Sequence, residues 1–279
     1  MKESPDSNNK KKRLMSDDDI KNKLVEIFRY FNDVCRKHDI KYSLDGGSLI
    51  GAIRHKGIIP WDDDIDVGLN RKEYLKLVEA IKKEPNENFK LLLPGNQGYP
   101  YPFAKLVAAD TAVEEVGFKR IPDYGVFLDI FVYHNLPNNP IRRIVFWQHI
   151  RFLKNGIWAQ RKNGPFSSFY GQAKVAYLIS RIFHINCVKS YIKKYEKLPD
   201  KPTKKMCHNW PGYSRKKEFQ NSKNFNEYID VEFEGIKAMA IKNYDSVLKR
   251  MYGNYMELPP KEKRVSNHNF KAYYKSKGE

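Results

Sequence analysis

Four aspartates fall within five residues, Asp62, Asp63, Asp64 and Asp66, at the end of a stretch that opens on a Gly-Gly-Ser turn: LDGGSLIGAIRHKGIIPWDDDIDV, residues 44–67. Side chains two apart on a β-strand share a face. A strand here puts Asp62, Asp64 and Asp66 on one face and sends Ile65 and Val67 into a core. Carboxylates in a row repel one another, and buried without partners they are very costly. A divalent cation resolves the conflict, because Mg²⁺ (or Mn²⁺ in its place) takes hard oxygen ligands and shares them with substrate phosphates. The segment reads as a metal-dependent phosphoryl-transfer site.

A second acid belongs to this reading. GVFLDIFV, residues 125–132, is apolar apart from Asp129. As a strand it aligns Phe127, Asp129 and Phe131 on one face. A lone carboxylate in such a strand needs a specific partner. It is either salt-bridged to a Lys or Arg, or it is a further metal ligand or base beside Asp64 and Asp66. Asp17, Asp18 and Asp19 are a different case. They follow Ser16 at the start of a helical pattern, where acids cap a helix and complement its dipole.

The surrounding pattern supplies elements to hold these residues. Ile20 to Cys35 repeats at helical spacing, and Ile40 to Leu44 alternates as a strand. Gly46-Gly47-Ser48 breaks that strand, and a helix follows from Leu49 to Arg54. Such a turn can offer backbone N–H groups to an anion, or be only a turn. Arg71 to Ile81 predicts a helix; Phe89 to Leu93 and Phe103 to Val107 predict strands. Between about 141 and 197 two aromatic, basic helical pieces flank Gly164-Pro165. Their aromatics either form the core of a helical subregion or sit at an anionic membrane surface, with Trp147, Phe152 and Trp158 beside Arg142, Arg143, Arg151, Lys154 and Arg161. Tyr228 to Phe233 and Ile236 to Ile241 predict a hairpin around Glu234-Gly235. A helix from Tyr244 to Met251 then ends at Gly253 as a left-handed cap.

The whole is an α/β chain in one catalytic domain, residues 15–279, after a disordered basic arm, residues 1–14. No apolar run is long enough to span a bilayer and no apolar segment follows Lys10 to Arg13, so a cytoplasmic protein is expected. Cys35, Cys187 and Cys207 are scattered, which argues against a disulfide framework or a zinc site. A formal charge of +18 suits nucleic acid, an anionic membrane, acidic substrates or simply a lysine-rich solvated surface. No recognisable RNA-binding motif is present, so nucleic acid is not the expected partner.

GGSLIGAIRHKGIIPWDDDIDVGLNRKEY resembles the LicD family of phosphotransferases, which includes the fukutin-related enzymes. GVFLDIFVYHNLP and FEGIKAMAIKNYDSVLKRMYGNYMELPP are similar to the family's later segments, so the resemblance runs from about residue 24 to 268. It implies a nucleotidyltransferase-like mixed sheet flanked by helices. It also implies Gly47 and Ser48 at the phosphates, Asp64 and Asp66 on the metal, and Asp129 as the third acid, sharing the metal and taking a proton. The family moves a phospho-alcohol, best known as phosphocholine, from a CDP-activated donor to a sugar hydroxyl of a glycan or lipid-linked glycan. The zinc-binding cysteines of the fukutin-related branch have no counterpart here. In this frame Lys105 either meets a phosphate or is an ordinary surface lysine. Arg54 and His55 either touch the donor, or Arg54 pairs with Asp62 or Asp63. Rival readings are a nucleotidyltransferase acting on RNA or a small molecule, and a non-enzymatic calcium-binding protein. For the latter, Glu73 falls at the twelfth position from Asp62, as an EF-hand would need.

Overall fold

A computed structural model describes residues 13–162, 171–266 and 270–276. It is a mixed α/β fold. Strand β1, Arg13–Leu14, leads into helix α1, Asp17–Lys37. Ser16 Oγ accepts the Asp19 N–H at 3.1 Å, and Asp19 accepts the Ser16 N–H at 3.0 Å, so the acids at this helix start serve as the expected cap. Asp17→Asn should therefore leave turnover unchanged, while Ser16→Ala should lower thermal stability by about 1 kcal/mol. The apolar stripe of α1, with Leu24, Ile27, Phe28, Phe31 and Cys35, is buried in the main core.

The next unit is β2 (Ser43–Leu44), α2 (Gly46–Arg54), β3 (Asp66–Asn70) and α3 (Arg71–Lys83). Then come β4 (Phe89–Leu92), β5 (Ala104–Ala108), β6 (Thr111–Glu115) and β7 (Phe127–Asn135). Three helices follow: α4 (Pro140–Arg161), α5 (Gly171–Ile182) and α6 (Cys187–Glu196). The chain returns as β8 (Lys205–His208), α7 (Arg215–Glu218) and β9 (Gln220–Asn221). It closes with β10 (Tyr228–Phe233), β11 (Ile236–Ile241), α8 (Tyr244–Tyr252) and β12 (Phe270–Tyr274).

The central sheet runs β2-β3-β7-β5-β4, with β8 added to β7 and β9 to β8. β3 and β7 are parallel, and β7 is antiparallel to β5. This register sets Asp66 opposite Asp129 and Asp129 opposite Lys105. Three ionisable residues far apart in sequence thus stand abreast on adjacent strands. The other face of β7, with Leu128, Ile130 and Val132, is buried. The β10–β11 hairpin forms with the expected register, and Glu234 and Gly235 take positive φ at its turn.

Several sequence expectations change. The Ile40–Leu44 strand shortens to Ser43–Leu44. The acidic run is not a strand throughout: β3 begins only at Asp66, and Asp62 to Ile65 form a non-ladder lead-in. The three adjacent acids Asp62, Asp63 and Asp64 thus precede the ladder, and only Asp66 is within it. The helix expected from Leu49 begins at Gly46, because the Asp45 carboxylate accepts the Gly46 N–H at 2.8 Å. Part of the expected disordered arm is ordered: Arg13 and Leu14 pair with β12, which pairs with β6. The rest of that arm, residues 1–12, lies outside the described residues, as does Gly164-Pro165. Gly253 has φ +74° but ψ −126°, so it is not a left-handed helical cap; its positive φ still suits glycine.

The middle region holds three helices rather than two, since the chain breaks between Phe183 and Asn186. α4 and α6 build a second core with Leu136, Cys207 and Phe219. Trp147 belongs to it, edge-on to Phe219 at 5.3 Å, so Trp147 is not an interfacial residue. The three cysteines are free and buried. No described helix is long and apolar enough to cross a membrane.

Candidate active site

Residues 58–63, which run into the acids, are clamped from several sides. Glu234, at the hairpin tip, accepts the Ile58 N–H at 2.7 Å, and Lys21 Nζ donates to the Pro60 carbonyl at 2.7 Å. The C-terminal segment straps the outside: Arg264 lies over the Trp61 ring, and Ser266 Oγ donates to Asp63 Oδ2 at 2.6 Å. The loop crosses α2 at Gly51, where an added Cβ would strike the Gly57 carbonyl. Gly51→Ala should therefore cost roughly 1–3 kcal/mol of overpacking, read as a lower melting temperature.

Asp62, Asp64 and Asp66 all line one cavity of about 390 Å³, together with Gly46 and Gly47 at the start of α2. Asp64, Asp66 and Asp129 line a second cavity of about 400 Å³, together with Lys105. The carboxylates thus stand where two cavities meet, and Phe131 and Trp210 line both. The expected common face of Asp62, Asp64 and Asp66 holds even though only Asp66 is in the strand. Ile65 and Val67 are fully buried on the other side. A larger cleft of about 720 Å³, with Asn70, Asn135 and Asp200 on its wall, contains none of these acids.

Burial pushes the Asp66 carboxyl well above the usual range, and Asp64, Asp129, Asp45 and Asp62 push it further. A site that resists ionising its own carboxylates suits a cation. Carboxylate oxygens of Asp62, Asp63 and Asp64 lie within 4.8 Å of one another, so the tightest oxygen group is one residue set earlier than the expected Asp64, Asp66 and Asp129. Asp62 sits against Gly47: a Cβ there would come within 2.6 Å of Asp62 Oδ2. This donor set, hard oxygens beside a cavity, fits Mg²⁺ or Mn²⁺.

Asp129 has the salt-bridge partner that one of its two readings called for, and it lies beside the acids that the other reading named. It forms a salt bridge with Lys105, and it faces the shared carboxylates. Lys105 is only 2% exposed, so it is no surface lysine. Its ammonium lies 3.4 Å from the Phe127 ring centroid and 4.7 Å from that of Tyr101. Nearby Glu115 accepts from the Tyr124 hydroxyl at 2.8 Å and pairs with Arg161.

Other expected site residues act on the scaffold. Ser48 Oγ accepts the Asp66 N–H at 2.8 Å and so ties α2 to the first residue of β3. Arg54 donates to the carbonyls of Tyr255 and Glu257, at 2.7 and 3.1 Å, rather than pairing with Asp62 or Asp63. His55 lies edge-on to Trp61. Neither Arg54 nor His55 lines the two cavities. Glu73 accepts the Lys41 N–H at 2.9 Å and pairs with Lys76, so it does not close a calcium loop on the acidic run.

Sequence reasoning missed the far wall of the first cavity. Asp45 accepts from the Tyr133 hydroxyl at 2.9 Å, and burial raises its carboxyl. His208 Nε2 lies 3.1 Å from Glu218 Oε2, while its Nδ1 accepts the Trp210 N–H at 3.3 Å. Burial would raise Glu218, but His208 and the N–H groups of Tyr213 and Gly212 outweigh it and hold it low. Asn209 fixes this wall by accepting from the Val132 N–H at 2.9 Å and donating to the Pro102 carbonyl at 3.1 Å. An aspartate just before a Gly-Gly-Ser turn and a helix is a capping signal that could have found Asp45; His208 and Glu218 carry no spacing signal.

The LicD/FKTN/FKRP nucleotidyltransferase domain model matches residues 39–155. Lipopolysaccharide cholinephosphotransferase LicD of Haemophilus influenzae is 30% identical over 260 residues, covering 89% of this chain and 94% of that protein. The chain belongs to the LicD family. It is accordingly a phosphotransferase, and the expected mixed sheet flanked by helices is the fold observed. Mouse and human ribitol 5-phosphate transferase FKRP are 50% identical over 46 residues, 16% of this chain and 9% of theirs. The LicD match therefore covers most of the chain, whereas the FKRP matches cover a short stretch.

Proposed function

We propose that the protein transfers phosphocholine from CDP-choline to a sugar hydroxyl of a cell-surface glycan or its lipid-linked precursor, with Mg²⁺ or Mn²⁺ bound. The observation that carries this reading is the meeting of two cavities at Asp64 and Asp66, in a chain similar along most of its length to a cholinephosphotransferase. Two substrates can then approach one reaction centre from opposite sides. The first cavity, with the start of α2 and Gly47, suits the donor phosphates. The second, with Asp129, suits the acceptor.

The sugar oxygen attacks the donor phosphorus that carries the alcohol. The bond from that phosphorus to the CMP oxygen breaks, and CMP leaves. Asp129 is the group placed to take the hydroxyl proton. Asp62, Asp63, Asp64 and Asp66 are the residues that would hold the cation, whose chemistry is to neutralise the phosphate charge that otherwise repels the nucleophile. Ser48 keeps Asp66 in place through its backbone N–H. Lys105 holds Asp129 through the ion pair.

The test is to incubate the protein with CDP-choline, CDP-glycerol or CDP-ribitol, with and without Mg²⁺, and with candidate glycan acceptors. CMP release and an acceptor heavier by phosphocholine are expected. Consumption of CDP-ribitol alone would change the transferred group. Attachment of a nucleotide to the acceptor would replace phospho-alcohol transfer with nucleotidyl transfer.

A further inference from the structure

Residues 130 to 195 contain no aspartate or glutamate, so all 33 acids of the chain lie elsewhere, and this stretch holds eleven lysines and arginines. The same region concentrates exposed apolar surface. Among the described residues, eight of the fifteen exposed large apolar side chains lie between 141 and 183. On α5, Val175, Leu178 and Ile182 recur at helical spacing, with Phe183 just beyond; Ile182 is 68% and Phe183 69% exposed. On α4, Ile144 and Val145 are exposed as well. Burying such side chains away from water is strongly favourable, so a face of this kind calls for a partner.

We propose that the α4–α5 face docks on an anionic lipid bilayer, with Ile182 and Phe183 entering the headgroup boundary. Charge selects this occupant. A symmetric contact with a second copy would set two helices that carry no acid, with Arg142, Arg151 and Arg181 exposed, against the same pair. A nucleic acid would satisfy the charge but leave the aliphatic stripe in water. An anionic bilayer accepts both, apolar side chains inward and cations at the headgroups. The residues differ from those that composition alone suggested: Trp147 is core, and the membrane contact passes to α5.

The position of the face gives it a use. Gln160 donates to Ser180 Oγ at 3.3 Å and to the Ile185 carbonyl at 3.1 Å, so the end of α5 lies beside the end of α4. There Trp158 is 41% exposed and lines the cavity that contains Asp129. Docking therefore brings that cavity close to the bilayer, where an acceptor carried on a lipid would be within reach. This consequence rests on the function proposed above; the docking itself does not.

Co-sedimentation of the full chain with phosphatidylcholine vesicles, with or without phosphatidylglycerol, tests it. Binding should require the anionic lipid and weaken as salt rises. Ile182→Ser with Phe183→Ser should weaken it by about tenfold or more, with an unchanged melting curve. Arg142→Gln with Arg181→Gln, exposed on α4 and α5, should also weaken it and flatten its salt dependence. Absent binding to anionic vesicles at low salt, or binding indifferent to the apolar pair, would overturn the proposal. A dimer that the apolar pair dissociates, with no lipid binding, would assign the face to a second copy instead. None of these readouts uses a CDP-linked donor, so failure here is separable from failure of the transfer reaction.

Discussion

Asp66→Asn is expected to lower transfer by at least about 10³-fold, the scale on which charge-stabilising groups act in phosphoryl transfer. Asp64→Asn should fall with it, and chelation by EDTA should do the same to the unmodified enzyme. The fold should not suffer. In the metal-free protein, burial and the neighbouring acids raise the Asp66 carboxyl well above its ordinary value. A carboxyl raised on folding costs no stability below its unfolded pKa, where both states are protonated. The cost appears as pH rises past that point, because the unfolded chain ionises while the folded one resists. Metal-free Asp66→Asn should therefore melt higher than the unmodified protein at neutral pH, and this advantage should vanish in acid. Mg²⁺ should raise the melting temperature of the unmodified protein and much less that of the variant. Near-normal turnover by Asp66→Asn, or full activity in EDTA, would refute the assignment.

The second large effect is at Asp129, where a charge pair and a catalytic role must be separated. Asp129→Asn leaves the Lys105 ammonium, 2% exposed, without its carboxylate. Removing one partner of a buried pair costs roughly 3–5 kcal/mol. The variant should thus melt well below the parent, and it should also lose activity by about 10²-fold or more, the scale of general-base loss. Asp129→Asn combined with Lys105→Met removes both charges and should recover most of the stability, since an apolar replacement of a buried pair is often neutral. It should not recover turnover. If the double variant regains activity per folded molecule, Asp129 is a structural partner of Lys105 and not the proton acceptor.

The acidic run shows what local pattern can and cannot tell. The type and spacing of Asp62, Asp64 and Asp66 identified a shared face, and the structure has it. The reason given, a continuous strand, was incomplete, because Ser266 holds Asp63, and Glu234, Lys21 and Arg264 hold Ile58, Pro60 and Trp61 just before it. Those partners lie up to about two hundred residues away, and no window of sequence contains them. Ser48 is a comparable case: its hydroxyl is where a phosphate-binding turn would put it, but its bond is to the Asp66 backbone.

By itself the sequence determined the helix start at Ser16, the hairpin at Glu234-Gly235, the two acid-bearing segments and the apolar faces behind them. These follow from local rules: caps, turn residues and the two periods of side-chain direction. Only the tertiary structure decided that Asp66, Asp129 and Lys105 stand abreast, since strand order and register come from long-range pairing. Only it decided that His208 and Glu218 wall the first cavity, and which aromatics of the basic helices are core and which meet solvent. Burial is a property of what packs on the other side, and in this chain the other side arrives from distant sequence.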